Sequence, residues 1–414
     1  MRKNFMTGFL SGLFGAVLIF LFAGFMIFYL DDDNPSANKK PEVNAEETKA
    51  ESENKSYEEI VEKLTFLETL VDSYYLEEVD PSVFADGIYK GFMSSLSDPY
   101  STYFTKTEYT ALMESSSGVY HGIGATVSQD VKTGIVTVVK PFEKGPAYKV
   151  GILPGDIIYK IDGEEVTGLD LTEVVSRMKG VEGTIVRVAV IREGETDPIE
   201  FTIERQQIKV PTIEYKMLAD KIGYIMITEF DEITVKQFAE AVDELEKNGM
   251  KGLVVDVRNN PGGLLDSVVK ILDRLLPKGL IVYTEDKYGR RVEEDAKYDD
   301  KLGVPLAVLI NGNSASASEI FAGAIQDYKI GTIVGTTSFG KGIVQKVIPL
   351  SDGTAIKLTI SKYFTPKGRN IHGTGIVPDV EIDLKDEMKK LVTVPIDDDN
   401  QLQEAIKVVK DKIK

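Results

Sequence analysis

The sequence predicts a layered α/β protein, and three observations carry that reading: strand-helix alternation from about residue 208 onward, a preceding stretch of short strands punctuated by Gly and Pro, and a long uncharged run near the N-terminus. In the alternating part, "IGYIMITEF" reads as a strand and is followed by a helix with Phe238, Ala241, Val242 and Leu245 on one face. "KGLVVDVR" is followed by a helix with Leu265, Val268, Val269, Leu272 and Leu276, and "PLAVLING" leads into a helix near Ser318 to Tyr328. Such repetition implies strands that are at least partly parallel, and sites in such sheets sit at the carboxyl ends of the strands. Both "RNNPGG" and "NSASASEI" come directly after apolar strand runs, so both belong at one edge.

Taken in order, the chain opens with Arg2 and Lys3 and an uncharged run from Asn4 to Leu30, long enough to span a bilayer. Basic residues before it and Asp31 to Asp33 after it predict that residues 1–30 are a short cytoplasmic stub and one transmembrane helix, with the rest of the chain outside the cell membrane. A cleaved signal peptide is the rival, disfavoured by the length of the run and by the lack of a clear small-x-small site. Residues 31–56 are polar and read as a flexible linker. Residues 57–117 form an N-terminal helical segment, with Ile60, Leu64, Leu67, Leu70 and Val71 and then Phe84, Ile88, Phe92 and Leu96 at helical spacing. Residues 118–206 hold the short strands and one helix from about Asp170 to Met178, residues 207–385 the α/β core, and 386–414 an acidic linker and a helix with Leu402, Ala405 and Val408 that packs on the core or self-associates as a homodimer.

Composition narrows the chemistry. The 414 residues are 43% hydrophobic and 28% charged, ordinary for globular protein, and the net charge of −18 argues against nucleic acid or an anionic surface as main partner. There is no cysteine, which removes thiolate catalysis and disulfides, and with only two histidines, His121 and His372, a His-rich metal site is improbable; no metal or cofactor is expected. Ser314, Ser316 and Ser318 in "NSASASEI" are candidate nucleophiles, since small neighbours let a substrate approach and a following helix offers amides to an oxyanion. The bland alternative is a turn and a helix cap, with Ser318 the cap residue. For a base, His372 and His121 lie in Gly-rich loops, and Lys341 sits in "SFGKGIVQ"; a lysine can serve when desolvation brings its pKa toward neutrality.

Together, "NSASASEIFAGAIQDY", "GTTSFGKGIVQ", "DVRNNPGGLL", "LSDPYSTYFT", "GPAYKVGILPGDIIYKIDGEEVTG" and "IHGTGIVPDV" resemble the C-terminal processing (tail-specific) peptidases, serine proteases with a Ser-Lys pair, over about residues 57–383. The resemblance implies a crotonase-like α/β core with a PDZ domain at 118–206. It implies Ser316 as nucleophile, Lys341 as general base, Gln345 as the residue that positions the lysine, and the amides of Gly262 and Ala317 as the oxyanion hole. A neutral amide suits Gln345's part, because a carboxylate beside Lys341 would favour the ammonium form; the four-residue spacing calls for a turn of the chain between them. In the PDZ segment, "HGIGATV" implies that Gly122, Ile123 and Gly124 hold a free C-terminal carboxylate while the peptide pairs with the strand that follows. Lys179 stands where members of the family frequently carry arginine; lysine cannot reproduce a bidentate guanidinium contact, and nearby Arg177 could substitute for it, which leaves open which of the two takes part. The expected partners are proteins or peptides with free hydrophobic C-termini, and the expected function is membrane-anchored, extracytoplasmic Ser-Lys endopeptidase activity. The rivals are a Ser-His hydrolase using His372 and a PDZ binding or chaperone module with an inactive core.

Overall fold

The computed structural model describes residues 56–298, 302–391 and 394–413, and these divide after Tyr103 into two compact units. In the first unit, Tyr57–Tyr74 and Ser82–Ser94 are helices. The former opens with a capping box, the Ser56 hydroxyl accepting from the Glu59 amide at 3.2 Å and the Glu59 carboxylate from the Ser56 amide at 3.1 Å. None of its residues is buried.

One expectation is corrected here. Among the described residues no helix is long and apolar enough to cross a membrane. The 18-residue helix Tyr57–Tyr74, the longest described, carries Glu58, Glu59, Glu62, Lys63, Glu68 and Asp72, each costly in hydrocarbon. Residues 1–30, on which the transmembrane helix and the single-pass localisation rested, lie outside the described residues, as does nearly all of the linker. Neither expectation is retained.

The second unit begins with the helix Lys106–Ser117, which ends at Gly118 in the left-handed region. Val119–Gly122 then pairs antiparallel with Gln206–Lys209, so the module between them enters and leaves through adjacent strands. Inside it, Ala125–Gln129, Val136–Pro141, Ile157–Ile161, Ile185–Ile191 and Ile199–Glu204 lie in that order in one sheet. Their inward residues, including Val138, Ile158, Val188 and Ile203, pack with Val174 and Met178 of the helix Leu171–Met178 around a core of their own. Ala125–Gln129 is an edge strand of this sheet.

The core is a six-stranded sheet in the order Ile213–Met217, Ile222–Ile227, Gly252–Asp256, Leu306–Ile310, Gly331–Gly335, Val380–Glu381. Only the first pair is antiparallel. The central strands are buried along their whole length, which is why they read as unbroken apolar runs. Helices Glu232–Lys247, Leu265–Asp273 and Ala317–Tyr328 share one apolar cluster with the sheet, and Asn400–Lys410 covers the opposite face through Leu402, Ala405 and Val409. Gly252 makes room for that last helix, since a Cβ there would lie 2.3 Å from Val409 Cγ1. In register, Asp256 faces Leu309 and Ile310 faces Gly335, so the turns after all three strands open at the same edge. A second, antiparallel sheet contains Gly279–Asp286, Arg291–Ala296, Ile343–Pro349 and Ala355–Phe364.

Candidate active site

At that edge the turn after Asp256 and the loop after Ile310 are stitched together by hydrogen bonds. Asn259 donates its amide to Asn311 Oδ1 at 3.0 Å and receives Asn313 Nδ2 on its own Oδ1 at 3.0 Å. The Asn260 carbonyl accepts the Ala315 amide at 3.0 Å and the Ser318 hydroxyl at 2.9 Å. These contacts give the three serines different environments, which the sequence pattern could not. Ser314 is fully buried with its hydroxyl on the Val257 carbonyl at 2.7 Å, and Ser318 is fully buried against Asn260. Ser316 alone among the three is partly open to solvent.

Ser316, not Ser318, is the N-cap of Ala317–Tyr328, and its backbone sits at φ 54, ψ −115. A non-glycine residue there costs about 1–3 kcal/mol and persists only where its surroundings enforce it. Glu319 does much of the enforcing. Fully buried one turn into the helix, it accepts from the Ser316 amide at 2.9 Å, the Lys341 amide at 2.8 Å, the Gly340 amide at 2.7 Å and the Ser338 hydroxyl at 2.5 Å. Burial raises its pKa, and these four donors pull the other way. One carboxylate thus joins the serine loop to the lysine loop by their backbones. From the other side, Tyr363 donates its hydroxyl to the Ser316 carbonyl at 3.1 Å; burial, with Glu319 nearby, holds that phenol well above its ordinary pKa.

Lys341 precedes the strand Ile343–Pro349, and Gln345 lies inside it, where pairing with Ala355–Phe364 shifts register between Val344 and Gln345. The expected turn between the two is therefore a strand with a local irregularity, a device that re-aims a side chain. Gln345 Nε2 lies 3.4 Å from Thr359 Oγ1. His372 is exposed, its amide bonded to Asn370 Oδ1 at 3.1 Å, and His121 faces Glu182 at 3.6 Å in the PDZ segment.

The two glycines of the turn hold their amides differently. The Gly262 amide, expected to face an oxyanion, donates instead to Asn260 Oδ1 at 2.8 Å. Gly262 itself is pressed against Ser316: at φ 110, a Cβ on it would lie 2.8 Å from Ser316 Cβ and 2.9 Å from the Ala317 nitrogen. Phe230 bonds to the Gly262 carbonyl and the Leu264 amide, at 2.8 and 2.7 Å, which turns the Gly263 amide the other way. Among the described residues the amides of Gly263 and Ala317 have no hydrogen-bond partner.

In the PDZ segment Gly122, Ile123 and Gly124 are buried, and the edge strand Ala125–Gln129 faces the helix Leu171–Met178 across a cavity of about 330 Å³. Tyr120 lies against Gly122, and Lys179 stacks over its ring at 5.0 Å while reaching Glu114 at 2.8 Å. Arg177 is taken up by Glu164 and Glu173, both at 2.7 Å. Glu229 and Asp231 close the cavity from the core side. Among the described residues no group of three or more acidic or histidine side chains could hold a metal ion.

With this geometry in place, comparison with known proteins is decisive. Residues 221–382 match the model of peptidase family S41, residues 135–192 a PDZ domain, and residues 19–108 the activating protease CtpB N-terminal domain. The carboxy-terminal-processing protease of Bartonella bacilliformis is 39% identical over 322 residues, 76% of this chain and 73% of that one. The chain belongs to the carboxy-terminal processing proteases of peptidase family S41. The carboxy-terminal processing protease CtpB of Bacillus subtilis is 37% identical over 347 residues, 83% of this chain and 72% of that one. In fold, the S41 chain resembles a putative S41 protease from Bacteroides fragilis, with TM-score 0.50 at 16% identity, covering 84% of this chain and 97% of that one. Glu319, Asn260 and Tyr363 escaped the sequence reading of this S41 site. Only Glu319 left a signal, a Ser-x-x-Glu spacing that marks a helix start.

Proposed function

We propose that this chain is a serine endopeptidase that takes protein C-terminal tails into its PDZ groove and cleaves them by a Ser-Lys mechanism. Ser316 attacks the scissile carbonyl, Lys341 removes its proton and returns it to the leaving amine, and Gln345 orients the lysine. The amides of Ala317 and Gly263 receive the oxyanion, Gly263 taking the part first expected of Gly262. Removing one such donor typically costs about 3 kcal/mol of transition-state stabilisation. The observation that carries this reading is the Glu319 cradle, which binds the Ser316 and Lys341 amides on the same carboxylate oxygen and so holds together two residues from separate loops. Substrate binding is assigned to Gly122, Ile123 and Gly124 with the open edge of Ala125–Gln129, since the free edge of a strand beside the apolar side chains Val175 and Met178 accepts an extended peptide.

The test is turnover of a peptide with a free hydrophobic C-terminus, followed by mass analysis of the fragments. Ser316→Ala and Lys341→Ala should each abolish cleavage, while His372→Ala should retain it. The opposite pattern for Lys341 and His372 would establish the Ser-His rival, and no cleavage by the wild type would favour a binding module.

A further inference from the structure

The helix Asn400–Lys410 reaches back to the turn that carries the glycine pair. Its N-cap residue Asp399 accepts two hydrogen bonds from Arg258, at 2.7 Å and 3.1 Å, and Gln401 Oε1 accepts a third at 2.9 Å. The same guanidinium grips Asp256, with Nη2 to Oδ2 at 2.6 Å and Nε to Oδ1 at 3.0 Å, and Tyr224 donates its hydroxyl to Asp256 at 2.8 Å. Only 12% of the Arg258 side chain is exposed, 3% of Asp256 and 5% of Asp399. A planar fork held between two carboxylates is a rigid joint.

From that joint hydrogen bonds run to the nucleophile. The Arg258 amide is tied to Asp256 Oδ1 at 3.0 Å, the Asn260 amide to the Val257 carbonyl at 3.3 Å, and the Gly262 amide to Asn260. The Asn260 carbonyl then takes the Ala315 amide and the Ser318 hydroxyl, on either side of Ser316.

We propose that Asp399 and Gln401 are positioning residues for peptide cleavage: through Arg258 the C-terminal helix fixes the turn 257–263 against Ser316 and so sets the oxyanion donors. This rests on the Ser-Lys reading above. It assigns the helix a part in the chemistry in addition to the packing supplied by Leu402, Ala405 and Val409.

The experiment compares the full chain as wild type, Asp399→Asn, Gln401→Met and Leu402→Ala, the last trimming the same helix at its apolar face. Four quantities are read: kcat and KM on a free-tail peptide, the rate of Ser316 labelling by a fluorophosphonate, and Tm. Asp399→Asn should lower kcat and labelling about tenfold with KM within about twofold, and Gln401→Met about threefold, the scale expected of slight misplacement. Leu402→Ala should lower Tm at least as far while keeping kcat at temperatures well below its transition. The proposal is overturned if Asp399→Asn keeps wild-type kcat, or if loss of kcat follows loss of Tm across all three variants. A wild type that is not labelled at Ser316 overturns both this proposal and the Ser-Lys reading, whereas a labelled wild type beside an unaffected Asp399→Asn removes this proposal alone. If Asp399→Asn fails to fold, Gln401→Met against Leu402→Ala decides by the same criteria.

Discussion

At the scale of single residues, Glu319 has the most demanding environment in the site. A buried carboxylate without partners would be expelled or protonated, and this one is kept by four donors that come from two loops. Glu319→Gln tests how much depends on the charge and symmetry of the group. The amide matches the carboxylate in shape, but its NH2 cannot accept, so at least one backbone N–H is left facing a donor, at a cost of about 1–3 kcal/mol. Glu319→Gln should therefore lower Tm and reduce kcat by about tenfold or more while leaving KM for a tail peptide nearly unchanged. Kinetics and thermal unfolding on the same preparation check this, and full retention of kcat would show that the cradle is merely structural. Ser316 illustrates how far the sequence could go. Alternating serines after a strand are legible as a candidate site, but which serine is left open to solvent depends on carbonyls of Val257 and Asn260, far away in sequence, that take up the other two hydroxyls.

At the scale of elements, the helices and strands were readable because their apolar periods are local, and the helix Leu171–Met178 starts and ends where its pattern does. What could not be read is how ends of elements meet. Gly262 and Gly263 look alike in "NPGG", and only the Asn260 side chain and the Phe230 pairing distinguish their amides. Asp231, the N-cap residue of Glu232–Lys247, is a second case: nothing local in the sequence marks it as perturbed, yet burial, with Glu229 close by, raises its pKa from 3.8 to about 7. Glu114 and Lys179 line the same cavity, and Lys179 is committed to Glu114. The folded state thus binds a proton that the unfolded chain releases near pH 4. The stability this group lends is full below about pH 4, declines as pH rises toward 7, and is gone above it, with a slope of at most about 1.4 kcal/mol per pH unit. Asp231→Asn keeps a good cap and removes the titration. It should raise Tm more at pH 8 than at pH 5, and equal gains at both pH values would show that the carboxyl is not perturbed by folding.

At the scale of the whole molecule, a protease core and a peptide-binding module lie in one compact unit, connected by the adjacent strands Val119–Gly122 and Gln206–Lys209. On the proposed function, such a connection makes tail binding and cleavage separable in principle, one site supplying affinity and the other chemistry. If the buried loop at Gly122, Ile123 and Gly124 reads a free carboxylate, the two halves of the reaction should respond differently to one change in the substrate. Amidating the C-terminus of a peptide removes its charge and one acceptor without altering the scissile bond, so KM should rise by about tenfold or more, the worth of a charge-assisted hydrogen bond of about 1.5–3 kcal/mol, while kcat at saturation stays close to that of the acid. A fall in kcat alone would mean that tail recognition acts on the chemical step and not on binding. Equal kinetics for acid and amide would remove carboxylate recognition from the reading, leaving the open edge of Ala125–Gln129 to bind by strand addition without regard to chain ends.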